Sequence, residues 1–280
     1  MPSNPFAEDT APLTQDGDAW ARRLASVDVT GLHAEAYAIL ADKFKRAMAI
    51  GEGEGDDRES ELLLLRAPRA GYGKTHLLSR VASASPEETI FFPVEFRTGM
   101  IGWPGVLKSF VNHLTETDDG AIGSSLSRRL VGELLARLIE RGDIQATHAE
   151  SAVALLRKNA PDIFTKDPDA NSVIRWFVSN FSALRPVLVK ELGRVTEFPE
   201  SRAEFWFDTL RGIDMPEAAT RQASRLRAMF LPDNDATVLV ARERVVELCT
   251  IARLLGPVAV LADELDVLYG AVSYTHLRAH

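Results

Sequence analysis

Hydrophobic residues follow two patterns along this chain, the spacing of a helix face and short continuous apolar runs. In Gly31–Ile50 the apolar residues recur at the spacing of one helix face, which predicts an amphipathic helix. Leu62–Leu65 is apolar at every position, as expected of a parallel strand that is covered on both faces. The segment ETIFFPVEF, Glu88–Phe96, predicts a second strand, and Pro93 removes one backbone donor from it, which favours a sheet edge or a bulge. The first part of the chain therefore combines helix and strand.

The middle of the chain, from Trp103 to Leu255, has mostly helical periodicity. Its clearest helix is SSLSRRLVGELLARLIERGD, which has serine at its start and Gly142 near its end. A third strand, Val258–Ala262, follows Gly-Pro and is closed by acidic residues. This order predicts an α/β fold with a mostly parallel sheet and a large helical insertion between the second and third strands. Further helices are predicted at about 147–158, 171–193, 201–212, 216–230 and 236–255.

The pattern divides the chain into consecutive parts. We expect an extended arm at 1–30, a helix and the first part of the α/β domain at 31–102, and the helical insertion at 103–255. The third strand and a helix start follow at 256–271. The tail 272–280, VSYTHLRAH, matches the translation of a sequencing-library adapter, so we exclude it from the fold. We expect that the biological chain was cut near Gly270, after the third strand.

Composition narrows the class of protein. Hydrophobic residues make up 46% and charged residues 26%, as in ordinary globular proteins. No apolar run approaches the ~20 residues that span a bilayer, and the start of the chain lacks the basic-then-apolar order of a signal peptide. A single cysteine, Cys249, excludes an internal disulfide and a cysteine-based metal cluster. We therefore expect a cytoplasmic protein without a membrane partner. The net charge of −8 argues against attraction of nucleic acid to the whole surface.

The segment after the leucine run has the pattern of a phosphate-binding loop. Glycines give such a loop its turn, and its backbone N–H groups and the following helix N-terminus face the phosphates. Lys74 is placed to reach the β- and γ-phosphates, and Thr75 to bind Mg²⁺. Pro68 stands where the first glycine of the pattern is expected. The alternative is a turn that merely leads into a helix. The predicted nucleotide-binding residues are Ala70, Gly71, Tyr72, Gly73, Lys74, Thr75 and His76.

Two acidic residues directly after the third strand supply the other half of a Mg²⁺–nucleotide site. Asp263 is placed to hold the metal, through its water shell, at a strand end. Glu264 is placed to activate the attacking water as general base, and Lys74 assists catalysis at the phosphates. Alone, this segment also fits a strand followed by a solvated helix start, and we assign Asp266 to that helix start. Together with the loop, it predicts a site for a nucleotide and Mg²⁺.

These two segments resemble the Walker A motif (Pro68–Thr75) and the Walker B motif (Val258–Glu264) of P-loop NTPases. The similar class has an additional catalytic glutamate and includes AAA+ and STAND-type ATPases. The resemblance implies a five-stranded sheet in the order 5-1-4-3-2, of which this chain contains the first three strands. It also implies that the remaining strands and the sensor residues follow the Walker B segment. The helices between the two motifs carry no part of the resemblance.

The resemblance implies an ATPase that acts as a switch or motor. An arginine from a partner subunit or from the missing segment would complete its site. One alternative is a nucleotide-binding scaffold that switches without useful hydrolysis, in signalling or phage defence. Another is a DNA-remodelling or loader ATPase. The process, the oligomeric state and the choice between ATP and GTP stay open.

Several other side chains have simpler interpretations. The basic cluster Ser127–Leu130 could contact nucleic acid, but a solvated helix face is favoured. We assign the aromatic residues Trp176, Phe177 and Phe181 to the core, and we expect the histidines to be structural or exposed (His33, His113 and His148).

Overall fold

A computed structural model describes residues 34–50, 74–83, 89–95, 102–115, 122–146, 148–165, 172–213 and 237–263. The chain divides into two compact units, Met1–Thr98 with Pro257–His280, and Gly99–Gly256. The predicted arm, the leucine-run strand, the 216–230 helix and the tail lie outside the described residues. The described elements are α1 (Ala34–Ile50), α2 (Lys74–Ser83), β1 (Ile90–Glu95), α3 (Trp103–Thr115), α4 (Ile122–Glu140), α5 (Ala149–Thr165), α6 (Ser172–Thr196), α7 (Glu200–Ile213), α8 (Thr237–Ala252) and β2 (Val258–Asp263).

The first unit contains two parallel strands and two helices within its described residues. β1 and β2 pair in register from Ile90 opposite Val258 to Glu95 opposite Asp263. Ile90, Phe92 and Val94 are buried and lie on one face of β1, since alternate residues of a strand point to the same side. On α1, Phe44 stacks with Phe91 of β1 at 6.0 Å between ring centroids. Apolar side chains therefore pack against the strand β1.

The predicted α/β P-loop NTPase fold is wrong for the part of the chain that the structure describes. That part is 80% helical, and its sheet has only two strands. The segments predicted as the second and third strands do form β1 and β2, in parallel. The remaining apolar surface is buried mainly between helices, so helix packing and not a broad sheet dominates the described core.

The second unit is built around α4. This helix packs against α3, α5, α6 and α7, while α8 packs against α3. Its apolar residues surround the axis and do not form a single stripe, as expected of a helix covered on several sides. The buried side chains of α4 include Leu126, Leu130, Val131, Leu134, Leu135 and Leu138.

Gly132 on α4 lies close to the backbone of α5. A Cβ atom added at Gly132 would lie 2.6 Å from the Ala160 Cβ and 2.7 Å from the Leu156 carbonyl oxygen, both on α5. The second of these atoms belongs to the backbone, so a side-chain rotation cannot relieve the clash. Glycine at this position therefore lets the two helix backbones approach each other.

We expect Gly132→Ala to lower the free energy of unfolding by about 1–3 kcal/mol, because the added methyl group overpacks this contact. The loss should exceed the gain of up to about 1 kcal/mol in helix propensity. Urea denaturation followed by circular dichroism measures the difference. Ser182→Ala, on the exposed surface of α6, is the control and should change stability by less than about 0.5 kcal/mol. Stabilisation by Gly132→Ala would contradict the close approach.

Arginine–carboxylate pairs join neighbouring helices of this unit. Arg157 on α5 contacts two carboxylates of α4, Glu133 at 2.9 Å and Glu140 at 2.7 Å. Exposed pairs of this kind contribute at most about 1 kcal/mol each, so their main effect is to fix which helix faces meet. Similar pairs join α6 to α7 and α7 to α8 (Arg185 with Glu204 and Asp208, and Arg202 with Glu247).

Glu191 on α6 is the charged residue that the described part of the chain buries. Arg141, just after α4, lies 2.6 Å from it, and Arg194 lies 2.8 Å from it. Burial opposes ionisation, but the two guanidinium groups outweigh it and hold the pKa of Glu191 below its ordinary value. The stabilisation is therefore present at neutral pH and is lost as the pH falls through that lowered pKa.

Candidate functional site

The described part of the predicted phosphate loop begins where α2 begins, at Lys74. Thr75 and His76 complete its first turn, while Pro68 and Ala70–Gly73 lie outside the described residues. The first N–H groups of a helix have no acceptor within it, and the helix dipole makes this end positive. Lys74 is half-buried. The start of α2 therefore combines backbone N–H donors with one lysine, and this combination favours binding of an anion.

Packing holds this helix in place. Leu77, Val81 and Ala82 on α2 are buried, and they share one side of the helix. Arg80 lies 4.4 Å above the Tyr37 ring of α1, a cation–π contact. The first turn of α2, which carries predicted binding residues, therefore belongs to a helix that packing holds in place.

His76 carries an unsatisfied polar atom at this helix end. Its Nε2 is buried and has no hydrogen-bond partner among the described residues. Buried ring nitrogens normally have a partner, because leaving one unpaired costs roughly 1–3 kcal/mol. The predicted binding residue His76 thus has one free hydrogen-bonding position in the described part of the structure.

Asp263 is the last residue of β2, and its register partner Glu95 is the last residue of β1. Since the strands are parallel, both acidic residues lie at the carboxyl edge of the pair. Glu95 was not among the site residues predicted from the sequence. It ends an apolar strand, as Asp263 does, and this position was the signal that could have identified it. The predicted base, Glu264, lies outside the described residues.

The start of α2 and the end of β2 belong to the same unit of the chain. Within the described residues, no group of three or more His, Cys, Asp or Glu side chains converges on a possible metal position. The predicted magnesium ligands are a different set, a hydroxyl from Thr75 and a carboxylate from Asp263. The assignment of these residues to a site stays a prediction.

The other residues selected from the sequence have structural roles. The Ser127–Leu130 cluster is not the solvated face that we expected, because Ser127 and Leu130 are buried and its two arginines are half-buried. Phe177 is buried, as predicted, and Phe181 packs against it at 5.6 Å between ring centroids. Trp176 was wrongly assigned to the core, since it is 44% exposed at the start of α6.

Two further groups lack the features of a reactive site. His148 is exposed, and its carbonyl accepts the Ala152 N–H at the start of α5. Burial raises the pKa of the Cys249 thiol to about 11, so it is protonated at neutral pH and is a poor nucleophile. Neither group is a candidate for catalysis.

Comparison with known proteins adds no relative. No family model, no curated protein and no solved structure matches this chain. None of the described helices is both long and apolar enough to cross a membrane.

Proposed function

We propose that this chain binds ATP with Mg²⁺ and hydrolyses it. The observation that carries the proposal is the start of α2 at Lys74, directly after Gly71-Tyr72-Gly73. A glycine-containing segment followed by a helix N-terminus offers several N–H donors to one phosphate group. The unpaired Nε2 of His76 in the same turn supports the presence of a polar ligand.

The acidic strand edge supplies the second element of the proposal. Thr75 offers a hydroxyl and Asp263 a carboxylate to Mg²⁺, which prefers oxygen ligands and keeps several waters. Magnesium, when bound, neutralises charge on the phosphates. Glu264, next to Asp263 in the chain, accepts the proton of the attacking water, and Lys74 neutralises the phosphate oxygens. In this proposal Lys74, Thr75 and Asp263 bind the phosphates and the metal, while Glu264 activates the water.

Among the alternatives, the non-hydrolysing scaffold is the closest competitor. It needs the same nucleotide site and differs only in turnover, so the carboxylate of Glu264 argues modestly against it.

A DNA-dependent ATPase has less support. The net charge is −8, and the arginines Arg157, Arg185 and Arg202 of the helical unit are paired with carboxylates. We further propose a protein partner or self-association, and a cytoplasmic location.

The test is calorimetric titration of the purified chain with ATP, with and without Mg²⁺, together with a phosphate-release assay. Saturable binding that Mg²⁺ strengthens is expected. Absence of saturable binding in both titrations would reject the nucleotide site. Binding with slow single-turnover hydrolysis and tight retention of ADP would instead favour the scaffold.

We expect Asp263→Asn to raise the Mg²⁺ concentration for half-maximal ATP binding by roughly tenfold, because an amide is a weaker ligand than a carboxylate. A magnesium titration at fixed ATP measures the change. Asp208→Asn removes the same charge from α7 and serves as control, with no expected shift. Equal magnesium dependence in wild type and Asp263→Asn would remove Asp263 from the metal site.

A further inference from the structure

The helix α6 carries large apolar side chains on its exposed side. Trp176 is 44% exposed and Val187 is 40% exposed. The opposite side of the helix already supplies the core of its own unit, through the buried residues Phe177, Leu184, Leu188 and Leu192. A surface helix normally has one apolar stripe, which faces the core, and polar residues opposite it. Packing within the helical unit therefore does not explain the second set of apolar residues.

The exposed apolar residues of α6 lie in one line along the helix. Trp176, Ala183 and Val187 follow each other at intervals of seven and four positions, which places them on one face. Asn180 lies between the first two, and its side-chain amide donates a hydrogen bond of 2.8 Å to the Trp176 carbonyl oxygen. We call these four exposed residues the α6 stripe. The stripe is about 17 Å long, and its two large side chains stand on either side of two smaller ones.

The charges near the α6 stripe have one sign. The segment Ser172–Lys190 contains no acidic residue, although the whole chain has a net charge of −8. Arg175 and Lys190 are exposed, one before the stripe and one after it. Arg185 pairs with carboxylates of α7, and Glu191, the residue after Lys190, is buried beside two arginines. The stripe is therefore an apolar surface with basic ends.

These charges distinguish between the partners that could cover the stripe. In an antiparallel pair of two α6 helices, the basic end of each would face the basic end of the other. In a parallel pair, each basic residue would face its own copy. Like charges oppose both arrangements of a second copy of this chain. An anionic membrane is disfavoured as well, because helices that lie on such membranes are rich in lysine and arginine and because the chain is acidic.

We propose that the α6 stripe binds an acidic amphipathic helix of a partner protein. The apolar face of that helix covers Trp176 and Val187, and its carboxylates lie near Arg175 and Lys190. Tryptophan is enriched among the residues that dominate binding energy at protein interfaces. The inference rests on the protein partner of the proposed function and not on its nucleotide site, so a chain that binds no ATP would leave it standing.

A synthetic peptide tests the surface on the full chain. The peptide has leucine at positions i, i+4, i+7 and i+11 and glutamate around them, and about 18 residues give it a helix length of about 27 Å. Fluorescence anisotropy of the labelled peptide measures the dissociation constant. We expect saturable binding below about 1 mM that added salt weakens. A peptide with lysine in place of glutamate should not bind. Absence of binding by the glutamate peptide, or equal binding by both peptides, would overturn the proposal.

Variants of the stripe locate the binding. Trp176→Ala should raise the dissociation constant roughly tenfold or more, and Lys190→Glu should raise it roughly tenfold. Leu155→Ala and Lys158→Glu change an equally exposed leucine and an exposed lysine of α5, and they should bind as wild type does. Thermal unfolding checks that each variant is folded. Wild-type affinity in Trp176→Ala would overturn the proposal.

Two further measurements test the other partners. Sedimentation of the wild-type chain and of Trp176→Ala should give the same mass. A dimer that Trp176→Ala dissociates would overturn the proposal in favour of a second copy of the chain. Vesicles of phosphatidylcholine and phosphatidylserine should not bind the chain. Vesicle binding that Trp176→Ala abolishes would overturn it in favour of an anionic membrane.

Discussion

Replacing Lys74 by alanine is expected to weaken ATP binding at least roughly 100-fold, which corresponds to about 3 kcal/mol. Lys74 is the first residue of α2, where the backbone N–H groups have no acceptor within the helix. In the proposed site, its removal leaves the β- and γ-phosphates without a charged partner and with neutral donors alone. Calorimetry with Mg²⁺–ATP measures the dissociation constant.

The control for this experiment is Lys158→Ala. Lys158 is an exposed lysine of α5, in the other unit of the chain, and its removal changes the net charge by the same amount. We expect its ATP affinity to equal that of wild type. Thermal unfolding of both variants checks that the fold is intact. If Lys74→Ala binds ATP within about threefold of wild type, the start of α2 is not the phosphate site.

Local periodicity predicted much of the described secondary structure. The helices predicted at 201–212 and 236–255 correspond to α7 (Glu200–Ile213) and α8 (Thr237–Ala252). α6 (Ser172–Thr196) also follows its predicted range, although Pro186 lies inside it on the exposed side. These elements follow patterns within a single segment, and such patterns can be recognised in a sequence.

The errors concern features that depend on distant residues. Strand-like segments do not specify how many strands pair, so a sheet-based fold was inferred where the described core is helical. Arg129 donates a hydrogen bond to the carbonyl oxygen of Leu255, 126 positions away, and no local pattern distinguishes such an arginine from a solvated one. Glu95 becomes a candidate site residue only because the pairing of β1 with β2 places it opposite Asp263. Trp176 is apolar in sequence, but whether a large side chain is covered is decided by its neighbours.

We expect Glu264→Gln to keep ATP binding and to lower the hydrolysis rate at least roughly 100-fold, the lower range for loss of a general base. Glutamine has nearly the same shape as glutamate, but its amide cannot accept a proton from water at neutral pH. In the proposed site, binding depends on Lys74, Thr75 and Asp263, which the variant retains. Steady-state phosphate release and calorimetry on the same protein sample measure the two quantities separately.

Asp266→Asn is the matched control, because it removes an acidic charge two positions further along the chain, where we assign no chemistry. Its hydrolysis rate should stay within about threefold of wild type. Normal hydrolysis by Glu264→Gln would exclude Glu264 as the base while leaving the nucleotide site intact. Loss of binding in the same variant would assign Glu264 to ligand or metal binding instead. Since Lys74→Ala is expected to act on binding and Glu264→Gln on turnover, the pair separates an ATPase from a scaffold that only holds the nucleotide.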